Sequence, residues 1–314
     1  MGSAHARTLA ASARAELVVC HDVDATRARA TPPGARFTTD FDDALAGSGL
    51  DAVVVATPEP AHREVAVAAL EQGLHVLCEK PLAASLADAD AIVEAAVTTS
   101  RLLAVGHVSR FDPRYGAVRR AVDDGSLGPP LHVSASRLSH VGERERYGPR
   151  TTLALELAVH DLDLFRWLAG EIESVYALGS SRDGELEDSL VATVRFRSGA
   201  VGALECSWAL AEAGLEWEHR LTYVGESGFA HVDGRSRGVA IHTPGRSSTP
   251  DVLTLWDHDG VVGGILAAQD ERFLRCVLEG LAWPLSPADA RAAVAAALAL
   301  DASLERGTLQ QVDA

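Results

Sequence analysis

The sequence has no asparagine and, among its 28 basic residues, a single lysine, Lys80; the other 27 are arginines. Where arginine serves as the generic cation, a lone lysine stands where arginine will not do. A compact ammonium donates to one atom and can shift its pKa, and a planar guanidinium cannot be deprotonated. The alternative is one lysine left on a surface by chance. Basic charge is also scarce overall: 28 Lys and Arg face 44 Asp and Glu, for a net charge of -16. Such a surface repels phosphate backbones and anionic head groups, so neither nucleic acid nor a membrane surface is an expected partner. No apolar run reaches the roughly 18 residues of a membrane span, and the first residues lack the apolar core of a signal peptide. Cysteine is sparse and scattered: Cys20, Cys78, Cys206 and Cys276 form no CxxC pair. This argues against a disulfide frame or a zinc site and for free, buried thiols in a reducing cytoplasm.

What is present has two textures. At 314 residues the chain exceeds one ordinary domain of about 100 to 200 residues. Residues 3 to 14 read as an amphipathic helix, Glu16 to His21 as a short buried strand, and 40 to 46 as a short helix. Strands follow at 50 to 56, 75 to 79 and 102 to 108, alternating with helices at 60 to 72 and 83 to 97. Near-continuous apolar strands separated by helices predict a parallel sheet covered on both faces, an α/β doubly wound domain over residues 1 to 110. From about residue 130 strand-like stretches succeed one another through Gly-containing turns, interrupted by one helix at 152 to 168 and followed by helices at 264 to 280 and 286 to 306. This predicts an α+β domain with an antiparallel sheet over 111 to 314, and Asp123-Asp124-Gly125 with Gly128-Pro129-Pro130 suits a hinge.

Three places could carry chemistry. Asp22 ends the second strand of a dinucleotide-type unit 20 residues after Gly2, where a carboxylate accepts hydrogen bonds from ribose hydroxyls. It repels a 2′-phosphate and so favours NAD over NADP, although Arg27 and Arg29 leave room for the latter; the alternative is an aspartate that merely closes a turn. Lys80 follows the buried strand HVLCE, and the carboxyl ends of parallel strands are where open α/β sheets bind ligands. Finally, Glu156, His160 and Asp163 recur at i, i+4 and i+7 on an otherwise apolar helix. Ionisable groups there must face a cavity, a partner or one another. A histidine with carboxylates one turn away is oriented as a general base needs to be; the alternative is a self-satisfied buried cluster. No further ligands accompany them, so no metal is expected.

Together MGSAHA, AELVVCHDVD, DAVVVATPEPAH, GLHVLCEKPL, GHVSRFDPRY and ELAVHDLDLFRWLAG resemble the glucose-fructose oxidoreductase and inositol dehydrogenase family, Gfo/Idh/MocA, over nearly the whole chain. The resemblance implies a Rossmann domain, a substrate domain whose open sheet forms homo-oligomer contacts in a dimer or tetramer, and NAD as cofactor. It implies that Lys80 approaches nicotinamide and substrate, and that His160 takes the hydroxyl proton of a secondary alcohol on a sugar, inositol or related polyol. It places Gly2, Asp22, Thr57, Pro58, His62, Glu79 and Lys80 around the cofactor, Glu156 among the catalytic residues, and Asp163 in an orienting or substrate-contacting position. The sequence departs from the family in having Glu156 for aspartate, Thr151-Thr152 for a glycine pair, and only the end of the GxGxMGxxHA motif. The last departure leads us to expect a strand and glycine turn of about ten to fifteen residues ahead of Met1. A glycosidase that oxidises, eliminates and reduces back with NAD is the alternative enzyme; a non-catalytic binding relative is the alternative outside enzymes. Arg137 and His140 either face substrate or lie solvated on the sheet.

Overall fold

Apolar β-branched runs and helical stripes alternate through the first third of the chain, and the backbone follows them. The computed structural model describes residues 1–46, 49–148, 150–210, 218–234, 238–243, 246–248, 255–258 and 261–313. They divide into two units, Met1–Ala83 with Ala87–Phe111 and Leu253–Ala288, and Ala84–Leu86 with Asp112–Val252 and Asp289–Ala314.

The first unit opens with α1 (Gly2–Ala11), followed by β1 (Val19–His21), β2 (Arg36–Thr38), α2 (Phe41–Leu45), β3 (Ala52–Val55), α3 (His62–Glu71), β4 (His75–Glu79), α4 (Leu86–Thr99) and β5 (Leu103–Gly106). The strands are parallel but form two sheets, one of β1 and β2 and one in the order β3-β4-β5. The middle strand β4 is buried from Val76 to Glu79, as a central parallel strand must be when both faces are covered. Helix α3 turns Ala66, Ala69 and Leu70 inward and α4 turns Ala89, Ile92 and Ala96 inward, the spacing of one helical face. The expected buried strand at 16 to 21 is shorter, starting at Val19, and only half-buried, because β2 is its only neighbour in its sheet.

In the second unit Asp112 caps α5 (Pro113–Asp123): its side chain accepts the Arg114 N–H, and Pro113 occupies the first turn. The Asp123-Asp124-Gly125 turn ends this helix, and Gly128-Pro129-Pro130 leads into the next strand. Then come β6 (Pro130–His140), α6 (Val141–Tyr147), a π-helical turn at Ala154–Ala158 that continues into α7 (Val159–Ala169), β7 (Ile172–Ser180), β8 (Ser189–Phe196), β9 (Val201–Leu210), β10 (Glu218–Gly225), β11 (Phe229–Asp233), β12 (Gly238–Thr243) and β13 (Arg246–Ser248). The strand pair β14 (Leu255–His258) and β15 (Val261–Gly264) precedes α8 (Ile265–Glu279), and α9 (Pro287–Arg306) and β16 (Gln310–Gln311) end the chain. The large sheet runs β13-β12-β11-β10-β6-β9-β8-β7-β16. It is mixed rather than antiparallel throughout, since β6 and β9 pair in parallel. Alternation is clean on β8, where Leu190, Ala192, Val194 and Phe196 are buried and Val191, Thr193 and Arg195 exposed, the signature of a sheet with one packed face.

A division at 110/111 gives all the C-terminal helices to the second domain. In the structure Leu253–Ala288 groups with the first unit, because Phe273 of α8 packs with Leu77 of β4 and Ala104 of β5, and Trp283 lies against the same cluster. All four cysteines are free; Cys78, Cys206 and Cys276 are buried and Cys20 is half-buried. Among the described residues no helix is long and apolar enough to cross a membrane.

Candidate active site

In the first unit the carboxyl end of β4 carries Lys80, half-buried, directly after the buried Glu79. Behind Glu79 lies a histidine that the sequence reading had not assigned a role. The Nε2–H of His5 donates to Glu79 Oε1 at 2.9 Å, and its Nδ1–H donates to Asp270 Oδ1 at 2.8 Å. The Thr8 hydroxyl donates to the other Asp270 oxygen. His5, Glu79 and Asp270 are 1%, 6% and 2% exposed. Burial alone would push the imidazole down; the hydrogen bonds and charges of Asp270 and Glu79 outweigh it and raise His5 to about 9. Burial likewise works to raise Glu79, but His5 and then Lys80 hold it below the ordinary carboxylate value.

A second histidine joins two segments of the same edge. His62 Nδ1 lies 2.9 Å from the Pro81 carbonyl and Nε2 lies 2.9 Å from the Thr57 carbonyl, and burial lowers its pKa despite these acceptors. Thr57 Oγ1 is buried without a hydrogen-bond partner, and Pro58 beside it is exposed. Gly2 starts α1 next to this loop, for a Cβ there would lie 3.7 Å from Ala56 Cβ. The first turn of α1 has no acidic residue and no side-chain cap, which suits an anion at its N-terminus. Asp22, half-buried, directly follows β1 and accepts the Asp24 N–H at 2.9 Å; the structure thus shows the turn role, and its carboxylate keeps acceptor capacity for hydroxyls. The donor set of this unit, comprising a helix N-terminus, an unsatisfied hydroxyl, a carboxylate and an ammonium, fits a dinucleotide.

The helix at 152 to 168 belongs to the second unit and is not uniformly α-helical. Residues Ala154–Ala158 form the π turn, and Glu156 sits on it, half-buried. The wider turn offsets Glu156 from the regular i, i+4 relation to His160. His160 is 8% exposed and Asp163 fully buried, so the predicted stripe lies in the interior. Two contacts fix this helix. Asp161, also fully buried, receives Arg137 Nε at 2.7 Å and Nη2 at 3.0 Å. At the start, Thr152 Oγ1 accepts the Leu155 N–H at 3.2 Å and donates to Asp301 Oδ2 at 2.8 Å; burial raises the Asp301 carboxyl to about 7. Arg137 therefore does not lie solvated, and its burial is made possible by a bidentate partner. His140 is half-buried.

The structure thus gathers Gly2, Thr57, His62, Glu79 and Lys80 at one edge of the first unit, and Glu156, His160 and Asp163 on one helix of the second. It adds His5, Asp270 and Asp161, and gives Arg137 a buried partner. A signal for His5 existed in the sequence, a histidine among alanines on the inner face of α1. Asp270, 265 residues away, had none. Among the described residues no group of three His, Cys, Asp or Glu is placed to hold a metal ion.

Comparison with known proteins covers both units. Residues 1–107 match the family model described as an oxidoreductase family with an NAD-binding Rossmann fold, and residues 115–231 match that of the GFO/IDH/MocA C-terminal domain. The chain is 34% identical to inositol 2-dehydrogenase 4 of Saccharopolyspora erythraea over 78% of its own length and 74% of that protein's. It is 34% identical to inositol 2-dehydrogenase 1 of the same organism over 81% and 80%. A solved structure of UDP-N-acetylglucosamine 3-dehydrogenase from Acidithiobacillus ferrooxidans superposes with a TM-score of 0.83 at 28% identity, covering 97% of this chain and 94% of that one.

Proposed function

We propose, on the premise that the chain belongs to the GFO/IDH/MocA family of oxidoreductases, that Lys80, His160 and Glu156 do the polar work of an NAD-dependent dehydrogenase acting on a secondary alcohol of an inositol, sugar or related polyol. The observation that carries this reading is the burial on α7 of His160, 8% exposed, and Asp163, fully buried, on a helix whose other buried residues are apolar apart from Asp161 and Arg166. The N-terminus of α1 at Gly2 holds the pyrophosphate, Asp22 the ribose hydroxyls, and Thr57, Pro58, His62 and Glu79 shape the edge between them. When bound, NAD supplies the acceptor for hydride. His160 takes the proton from the substrate hydroxyl, and the carboxylates of Glu156 and Asp163 stabilise the imidazolium so formed. The Lys80 ammonium donates to the substrate oxygen and stabilises the negative charge that develops on it as its proton leaves.

For assembly, the outward face of the large sheet carries Leu178 opposite Val191, 62% and 59% exposed, with Val201 and Phe229 also open; we read it as the contact of a homo-oligomer. The free thiols fit a cytoplasmic setting. Turnover on a panel of inositols and sugars, followed by nicotinamide absorbance, tests the assignment. Lys80→Ala and His160→Ala each lower kcat by about 10²- to 10⁴-fold; full activity in either variant overturns its role.

A further inference from the structure

We propose that His5 is a positioning residue for Lys80: by bridging Glu79 to Asp270 it keeps the carboxylate beside the lysine inside the first unit and so fixes where the ammonium is presented. Carboxylates only accept hydrogen bonds. An imidazole whose two nitrogens lie 2.9 Å from Glu79 and 2.8 Å from Asp270 donates to both carboxylates only as an imidazolium. The elevation of His5 to about 9 agrees with this.

The geometry leaves Glu79 little freedom. It is the last residue of β4, paired across the sheet with Gly106, and a Cβ on Gly106 would come within 2.8 Å of Glu79 Oε1. The side chain is thus clamped between the His5 ring and the backbone of β5, and the absence of a side chain at 106 is what lets it lie there. On the far side Asp270 is held by both His5 and Thr8, so α1 and α8 grip the end of β4 together. The charges matter as much as the contacts. One imidazolium and the Lys80 ammonium balance the carboxylates of Glu79 and Asp270. With the imidazolium removed, the cations left near the buried Glu79 carboxylate are the Lys80 ammonium and the α-amino group of Met1, and the carboxylate swings toward the lysine beside it. The clamp keeps Glu79 from capturing the ammonium of its own neighbour.

The link from position to turnover rests on the reading of Lys80 as catalytic; the positional effect does not. Lys80 is the only lysine, so reductive ¹³C-methylation of the full chain yields one ε-dimethylamine resonance beside that of the α-amino group. In unmodified protein we expect His5→Gln to lower kcat about tenfold while the polyol KM changes less than about twofold, the mark of a misplaced rather than missing group. In methylated protein the Lys80 resonance shifts or splits. Asp270→Asn, which weakens the grip on His5 without removing the ring, moves the same resonance in the same direction and serves if His5→Gln does not fold. A lowered melting temperature with the resonance unmoved in both variants makes the cluster merely structural and overturns the proposal. A moved resonance together with full activity in Lys80→Ala sinks the catalytic reading of Lys80 and leaves the positioning role standing.

Discussion

Each unit has a histidine in a charged, largely inaccessible cluster, and the two are in opposite states. In the first unit His5 lies between Glu79 and Asp270 and is raised to about 9. In the second, His219 Nε2 lies 3.1 Å from Arg114 Nη2, and Arg114 in turn binds Asp112 through Nε and Nη2. A guanidinium can only donate, so this imidazole must accept and stay neutral. Burial, then the positive charges of Arg137 and Arg114, lower His219 to about 4. Desolvation pushes both rings the same way; the sign of the neighbours decides the outcome. A histidine's role cannot be read from its depth, only from whether its neighbours give or take protons.

Removing the cation from each cluster breaks the comparison most sharply. Arg114→Met strands the Asp112 carboxylate, 2% exposed, and should cost about 3 to 5 kcal/mol in denaturant unfolding, the scale of an uncompensated buried charge. That cost is the same across neutral and mildly alkaline pH, because a guanidinium does not titrate there. The clusters part company over pH. His5 is raised in the folded state, so its contribution is complete below about 6.5 and is lost as pH rises through about 9. Wild-type protein should lose roughly 3 kcal/mol across that window by urea titration, and His5→Gln should flatten the slope; an unchanged slope would mean that His5 is not charged. The smallest effect belongs to His219. Its lowered pKa leaves stability intact above about 6.5 and erodes it as pH falls toward about 4. His219→Gln should therefore cost no more than about 1 kcal/mol at neutral pH and should improve acid tolerance relative to wild type, seen as a lower pH midpoint of unfolding.

The same contrast explains what was legible in the sequence. Lys80 could be found because it is unique and follows an apolar strand, and Glu156, His160 and Asp163 because they interrupt an apolar helix at short spacing. Both signals are local. The partners that set charge states are not: His5 meets Asp270 across 265 positions and Arg114 meets His219 across 105. Arg137 stayed ambiguous for the same reason, since only tertiary packing shows Asp161 waiting for it. Short or charged elements were also hidden. Strand β2 is three residues, RFT, and α6 is VGERERY, too brief or too polar for periodicity to register. The π turn left no trace, because ALELA is as apolar as the helix it joins.

That turn has an evolutionary and engineering consequence. A π turn amounts to one residue inserted into an α-helix, so Ala154–Ala158 holds a removable residue between the chain's entry to the helix and His160. Deleting a single alanine there would let the segment relax to regular pitch, with the flanking residues keeping their faces and only the residues of the turn changing angle. Glu156 would be relocated with its chemistry intact, and a relative lacking the extra residue would present the same two side chains at a different angle. The angle between Glu156 and His160 can therefore change by gaining or losing length as well as by exchanging side chains.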